Sequence, residues 1–326
     1  KGPNLKMKIG SLDLTGNVCL APMAGITDAP FRRIVQHFGV SALWTEMISA
    51  HAALRSRKSL ETVDLKGHCV PMFFQIVGKD PTVMSEAATL LQGMGASAID
   101  INMGCPARKV VGSGSGAALM KDLSLAGRII RSVRRSISIP LTIKTRLGWD
   151  DKSFTAPELS AIAEQEGVDA IIIHGRSRSA GHSGPVSGDL IAEIKSRLSI
   201  PLIANGGINR VEDALQLMSS SECDGVMIGR GALGRPWLPH LIMSSLQKEE
   251  KVLVDETVSD TIYQHFLDQI ETFGDKVGVR RMRKHLGWYS KGFPNGTDFR
   301  FQVFRETDPT VIVELIRNFF GKVAIS

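Results

Sequence analysis

Short apolar runs recur along the first three quarters of the chain, separated by longer segments that mix apolar with charged residues. "NVCLAP" from Asn17, "ALWTEM" from Ala42, "MFFQIV" from Met72, "AIDINMG" from Ala98, "LTIKTR" from Leu141, "AIIIHGR" from Ala170, "LIANGG" from Leu202 and "GVMIGR" from Gly225 read as eight strands. Apolar residues run through them almost unbroken, the pattern of parallel strands buried on both faces. Most gaps read as helices, such as "DPTVMSEAATLLQGMGA" from Asp80 and "NRVEDALQLM" from Asn209, which open on Asp and Asn as N-caps.

Eight such units are the count for an α/β fold of the (β/α)8 TIM-barrel kind, with a doubly wound sheet as the competing architecture. One strand design repeats in "SIPLTIK" and "SIPLIAN", and nearly every strand ends on a polar residue or glycine, which favours the barrel. After about Pro236 only helical patterns remain, in "TVSDTIYQHFLDQIETF" from Thr257, "GVRRMRKHLGWYSKG" from Gly278 and "PTVIVELIRNFF" from Pro309. We therefore expect a TIM barrel over 1–245 and a small all-helical C-terminal domain over 246–326.

Composition narrows the class. With 326 residues, 43% hydrophobic and 22% charged, the chain suits a barrel with an appendage, and no apolar run reaches bilayer length. Cys19, Cys69, Cys105 and Cys223 form no C-x-x-C pair, so neither a zinc cluster nor a disulfide framework is expected, and a reducing cytoplasm fits. The net charge of +6 favours an anionic partner such as nucleic acid. Met7 reads as a natural start, and the residues before it carry no part of the argument.

In a barrel the C-terminal strand ends share one mouth, and chemistry sits there. The ends here are Pro22-Met23-Ala24, Glu46, Gln75, Asn102, Lys144 with Arg146, His174 with Arg176, Asn205-Gly206-Gly207 and Gly229-Arg230. An ammonium such as that of Lys144 costs several kcal/mol at a buried strand end unless it meets negative charge, from a carboxylate of the protein or from a ligand. Glycines after strands seven and eight match the place where barrels bind phosphate on exposed N–H groups, with Arg230 beside them; the bland alternative is a pair of tight turns. A phosphate-bearing cofactor with its ring beside Lys144, Gln75 and Asn102 reads as flavin mononucleotide (FMN), whose reduced form gathers negative charge that a lysine stabilises. His174 contacts flavin or substrate in this reading, or serves only as a hydrogen-bonding residue.

"LAPMAGITDAPFR", "DINMGCPARKV", "KTRLGW", "IHGRSR", "IANGGI" and "IGRGALGRPW", followed by "VRRMRKHLGWY", resemble the tRNA-dihydrouridine synthases, in particular their bacterial B-type branch, from about Met7 to Phe320. The resemblance implies that Cys105 is the general acid and that Pro22, Met23, Ala24, Gln75, Lys144, Asn205, Gly206, Gly207, Gly229 and Arg230 hold FMN, to which the reading of the strand ends adds Asn102 and His174. It implies NADPH as reductant, tRNA as substrate and reduction of a D-loop uridine, with hydride from flavin N5 to C6 and a proton from Cys105 to C5. A thiol suits that task, being mostly protonated at neutral pH yet able to release its proton.

A uridine must leave its stack to reach such a site, at a cost of a few kcal/mol that contacts elsewhere offset. Arg108, Lys109, Arg146 and Arg176 near the mouth, and Arg280, Arg281, Arg283 and Lys284 in the tail, are the expected tRNA contacts. Val279, Met282, Leu286 and Tyr289 form one stripe on that tail helix, with Arg280, Lys284 and Lys291 opposite. One departure stands out: Gly112-Ser113-Gly114-Ser115-Gly116 carries no cation where relatives often do, so the cysteine loop is expected to be mobile until RNA arrives. A cytoplasmic monomer with no metal completes the reading. A flavin barrel acting on a small pyrimidine, as dihydroorotate dehydrogenases do, and a non-catalytic RNA-binding protein are the alternatives.

Overall fold

The computed structural model describes residues 6–56, 60, 63–247 and 257–321. All but Lys6 of the segment before Met7, and the stretch 248–256 just past the expected boundary, lie outside the described residues. An antiparallel hairpin of β1 (Met7–Ile9) and β2 (Leu12–Leu14) opens the fold. The strands that follow are β3 (Val18–Leu20), β4 (Ala42–Trp44), a short β5 (Ile48–Ser49), β6 (Met72–Val77), β7 (Ala98–Asn102), β8 (Leu141–Arg146), β9 (Ala170–His174), β10 (Leu202–Asn205) and β11 (Gly225–Ile228).

Every neighbour in this sheet is parallel, and β3 pairs with both β11 and β4 while β4 also pairs with β6. The sheet therefore closes, and its eight long-expected strands form a (β/α)8 TIM barrel followed by C-terminal helices. The hairpin and β5 were not read from the pattern, because runs of two or three residues carry no period.

Strand alternation sorts the apolar residues into two layers. Leu20, Leu43, Phe74, Ile101, Ile143 and Ile173 face the surrounding helices, whereas Cys19, Trp44, Phe73, Ala98, Ile172 and Met227 fill the barrel interior. Met7, Ile9 and Leu14 of the hairpin join the interior layer and close the N-terminal end. Trp44 and Phe73 stack there at 4.2 Å between ring centroids. Burying a side chain of this size stabilises the fold by about 1.5–3 kcal/mol.

Helix starts follow local chemistry. Asp80 caps Pro81–Gly93 by accepting from the N–H groups of Thr82 and Val83, with Pro81 preset in the first turn. The expectation for Asn209 is corrected: the helix is Val211–Ser221, and Asp213 reaches back to accept from the N–H groups of Asn209 and Arg210.

Helix Leu238–Gln247 runs through residue 245, and its Leu238, Ile242 and Leu246 belong to the barrel's outer core. Helices Val258–Phe273, Asp275–Tyr289, Gly296–Val303 and Pro309–Phe320 form a second core around Phe266, Met282, Leu286, Tyr289 and Ile316. The tail stripe is buried as its spacing predicts, with Val279, Met282, Leu286 and Tyr289 all inside. Ile34 and Phe38 of the barrel helix Ala29–His37, with Trp237, join this core and seat it on the barrel.

Asp28 is the polar centre of that seat. Its buried carboxylate accepts from the Phe31 N–H as N-cap, from Gln269 Nε2, and from Arg281 Nε and Nη2 at 3.1–3.2 Å. Behind it His265 bonds Tyr289 Oη through Nδ1 at 3.1 Å, and the His265 and His285 rings meet at 4.6 Å. Burial pulls His265 down to about 4, against the help of Asp28, and pulls His285 well below the ordinary range. Both are neutral when folded and take up protons more readily unfolded, so stability is full above pH 6.5 and falls as pH drops from about 6.5 towards 4. Thermal denaturation at pH 7 and pH 5 checks this: the midpoint is expected to drop at pH 5, and His265→Gln to shrink that drop.

Candidate active site at the barrel mouth

A cavity of about 440 Å³ opens at the C-terminal strand ends. Pro22, Met23, Ala24, Gln75, Asn102, Lys144, His174, Asn205, Gly206, Gly207, Gly229 and Arg230 all line it, and so does Cys105. Residues as far apart as Pro22 and Arg230 meet because the strand ends of one closed ring share one mouth. Strand order misses His182, Met47 and Asn209, which also line the cavity from loops, where no period marks them.

The lining is cationic: Lys144, Arg146, Arg176 and Arg230 contribute to it, and among the described residues no carboxylate does. Lys144 Nζ donates to Asn205 Oδ1 at 2.9 Å, and Asn205 Nδ2 donates to the Met227 carbonyl at 2.7 Å. Burial, then Arg146, lowers the Lys144 ammonium to about 8. Among the described residues no carboxylate stands within ion-pair distance of it, so the internal salt bridge that would explain this lysine blandly is not there.

At the far end, burial and Arg230 hold Arg176 below its ordinary value, and Arg176 Nε donates to the Gly184 carbonyl at 2.8 Å. Gly206 and Gly207 sit there at φ 120° and 74°, a conformation that strains any side chain. His174 is driven far below its ordinary range by burial and by Lys144, and its buried Nδ1 has no hydrogen-bond partner. The site thus offers a concentrated positive field, with an orphaned polar atom on a histidine that lines the same cavity.

Cys105 is half-buried just past β7. Its N–H donates to Asn102 Oδ1 at 2.9 Å and its carbonyl accepts from the Ala117 N–H at 3.1 Å. The glycine-rich stretch that follows is built into the fold: a short helix Arg108–Gly112, then a 3-10 helix Gly116–Lys121. Gly116 takes φ 60°, and a Cβ there would lie 2.9 Å from the Cys105 carbonyl oxygen, so glycine lets the chain pass close behind the cysteine.

Arg146, expected to meet tRNA, turns inward. Buried, it donates from Nε to the Gly104 carbonyl at 3.0 Å and from Nη1 to the carbonyls of Ser177 and Gly181 at 3.0 and 2.7 Å. Its donors thus tie together the loops after β7 and β9.

Arg108, Lys109 and Arg280 are exposed. Arg281 is committed to Asp28, Arg283 donates to the Glu306 carbonyl at 3.0 Å, and Lys284 donates to the Gly25 carbonyl at the mouth. The polar face of the tail helix therefore leans on the barrel rim, a contact no helical wheel reveals. Trp288 confirms the closeness: a Cβ on Gly234, in the turn after β11, would lie 2.5 Å from the Trp288 carbonyl oxygen. Beside the mouth, the Trp149 ring lies between Lys121 Nζ at 4.2 Å and the Arg178 guanidinium at 4.4 Å.

Known proteins resemble this chain in fold and in sequence. A 2-naphthoyl-CoA reductase structure superposes with a TM-score of 0.58 at 12% identity, over 76% of this chain and 52% of its own. A probable tRNA-dihydrouridine synthase of Rickettsia conorii is 40% identical over 97% of both chains. A tRNA-dihydrouridine synthase B of Xanthomonas campestris pv. campestris is 40% identical over 96% of both. The family profile described as dihydrouridine synthase (Dus) matches residues 19–323, so the chain belongs to the dihydrouridine synthase family.

Proposed function

We propose that the protein is a tRNA-dihydrouridine synthase that uses FMN and NADPH to reduce the C5–C6 double bond of a D-loop uridine. The observation that carries this is Cys105, held by Asn102 at the edge of a cationic cavity that no carboxylate of the described residues lines, with Lys144 inside it bonded to Asn205 and without an ion-pair partner among those residues. FMN fits those residues. Arg230 and the backbone at Gly206 and Gly207 would hold its phosphate, joined by Arg176, expected from the sequence to meet tRNA but lining the same end of the cavity, while Lys144, Gln75 and Asn102 would meet its ring. When bound, it supplies a hydride from NADPH to the pyrimidine ring.

The chain does the rest. Lys144 places positive charge where negative charge gathers, and it loses that charge as pH rises through about 8. Cys105 delivers a proton to C5 of a uridine drawn into the mouth, and Met23 and Met47 keep water from the ring. His174, held neutral, offers a hydrogen bond rather than a charge.

Arg108, Lys109 and Arg280, free on the surface, would meet backbone phosphates. Arg281 and Lys284 would act through the seat of the tail on the barrel, and Arg283 through the packing of the tail's own helices. The barrel, through helix Leu238–Gln247, and the helices from Val258 on are, in this proposal, a catalytic and a tRNA-binding domain of a cytoplasmic monomer, with the boundary just past the expected 245.

Purified protein is expected to be yellow and to release about one flavin per chain on denaturation. A well-folded, colourless preparation that takes up no added FMN would count decisively against the proposal.

A further inference from the structure

At the floor of the cavity, three polar residues stand side by side across neighbouring strands: Gln75 on β6, which lines the cavity, and Asp100 on β7 and Thr142 on β8, which do not. Asp100 is fully buried in the barrel interior. Thr142 Oγ1 donates to its Oδ1 at 2.6 Å, and Gln75 Nε2 donates to its Oδ2 at 2.6 Å. From Gln75 the chain of bonds climbs to the mouth. Asn102 Nδ2 donates to Gln75 Oε1 at 2.9 Å, and Asn102 Oδ1 accepts from the N–H groups of Gly104 and Cys105 at 3.2 and 2.9 Å.

The direction of this chain is not arbitrary. An amide side chain can present either end to a neighbour, but an ionised carboxylate only accepts. Asp100 therefore forces Gln75 to turn its NH2 downward and its oxygen towards Asn102. Asn102 must answer with its own NH2, which leaves its oxygen pointing at the cysteine turn. Reversed, the Asn102 NH2 would face the Gly104 and Cys105 N–H groups, donor against donor, and the turn would lose its acceptor. Burial raises Asp100 to about 6, which still leaves it ionised at neutral pH, with Lys144 nearby to favour the charge.

We propose that Asp100 is a positioning residue: its negative charge orients the Gln75 and Asn102 amides and thereby holds the Cys105 turn at the mouth. The proposal rests on the reading of Cys105 as proton donor only for its effect on turnover, since the bonds hold whatever the turn does.

Asp100→Asn and Thr142→Val separate direction from mere packing. Asp100→Asn keeps the shape but offers a donor as well as an acceptor, so Gln75 is free to turn over. Thr142→Val removes a buried hydrogen bond but keeps the carboxylate, which exchange at pH 8 holds ionised although loss of the Thr142 donor raises it further. Hydrogen exchange followed by mass spectrometry on the peptide spanning Gly104 and Cys105 is expected to quicken at least about fivefold in Asp100→Asn and to stay within about twofold in Thr142→Val. Gln75→Met, which cuts the chain while sparing Asp100, is expected to quicken it too, and serves if Asp100→Asn does not fold.

With unmodified tRNA, Asp100→Asn is expected to lower kcat for uridine reduction with little change in KM, and Thr142→Val to leave both near wild type. Unchanged exchange in Asp100→Asn and Gln75→Met, or equal loosening in Thr142→Val, overturns the proposal. The exchange measurement needs no turnover, so an inactive wild-type protein that still shows this order would overturn the functional reading and support the positioning role.

Discussion

Cys105→Ala is expected to reduce its flavin with NADPH at the wild-type rate and to form dihydrouridine roughly 10²–10⁴-fold more slowly, the range that loss of a general acid produces. The separation follows from position. Cys105 lies at the edge of the cavity, on the turn held by Asn102, and makes no hydrogen bond to Lys144, Asn205 or the glycines at the phosphate end. Methyl for thiol removes the proton source and leaves that machinery in place. Stopped-flow absorbance follows the first half-reaction, and nucleoside mass spectrometry of the tRNA follows the second. Wild-type dihydrouridine yield from the variant would end the assignment of Cys105 as acid.

Asp28→Ala is expected to cost about 2–4 kcal/mol, because it removes a helix cap and the charged acceptor shared by the Gln269 amide and the part-exposed Arg281 guanidinium at the seat of the tail. Arg281→Ala should cost less, since Gln269 and the Phe31 N–H still satisfy the carboxylate. Urea unfolding of both variants gives the order directly. If Arg281→Ala proved the more damaging, the seat would rest on the cation–π contact of Arg281 with Phe273, at 4.1 Å, and Asp28 would be incidental. On the proposed function, Asp28→Ala also raises KM for tRNA while sparing flavin reduction, because it loosens the tail and leaves the mouth intact.

What could be read before any coordinates was whatever a period or a strand end announces. The eight barrel strands lie where their apolar runs place them, and the twelve residues assigned to FMN share one cavity because parallel strands deliver their ends to one side. The tail stripe of Val279, Met282, Leu286 and Tyr289 was equally visible in its spacing. Charges were harder. Arg146 and Arg281 look in sequence like Arg108 and Arg280, yet two turn inward and two turn out. Which way a guanidinium points depends on loop carbonyls and carboxylates brought from far along the chain, such as Ser177 for Arg146 and Asp28 for Arg281. His182 and the short hairpin escaped for a related reason, since neither a loop residue nor a three-residue strand repeats.

The hairpin that closes the barrel floor has an electrical consequence. Met7, Ile9, Leu14, Trp44 and Phe73 form a dry plug of low polarisability beneath Lys144, Arg146, Arg176 and Arg230. Field lines from those four charges avoid such a medium and leave through the open mouth, where water begins. The barrel then behaves as a one-sided lens for a polyanion, drawing it towards the end where Cys105 waits, with an encounter rate that falls steeply as ionic strength rises.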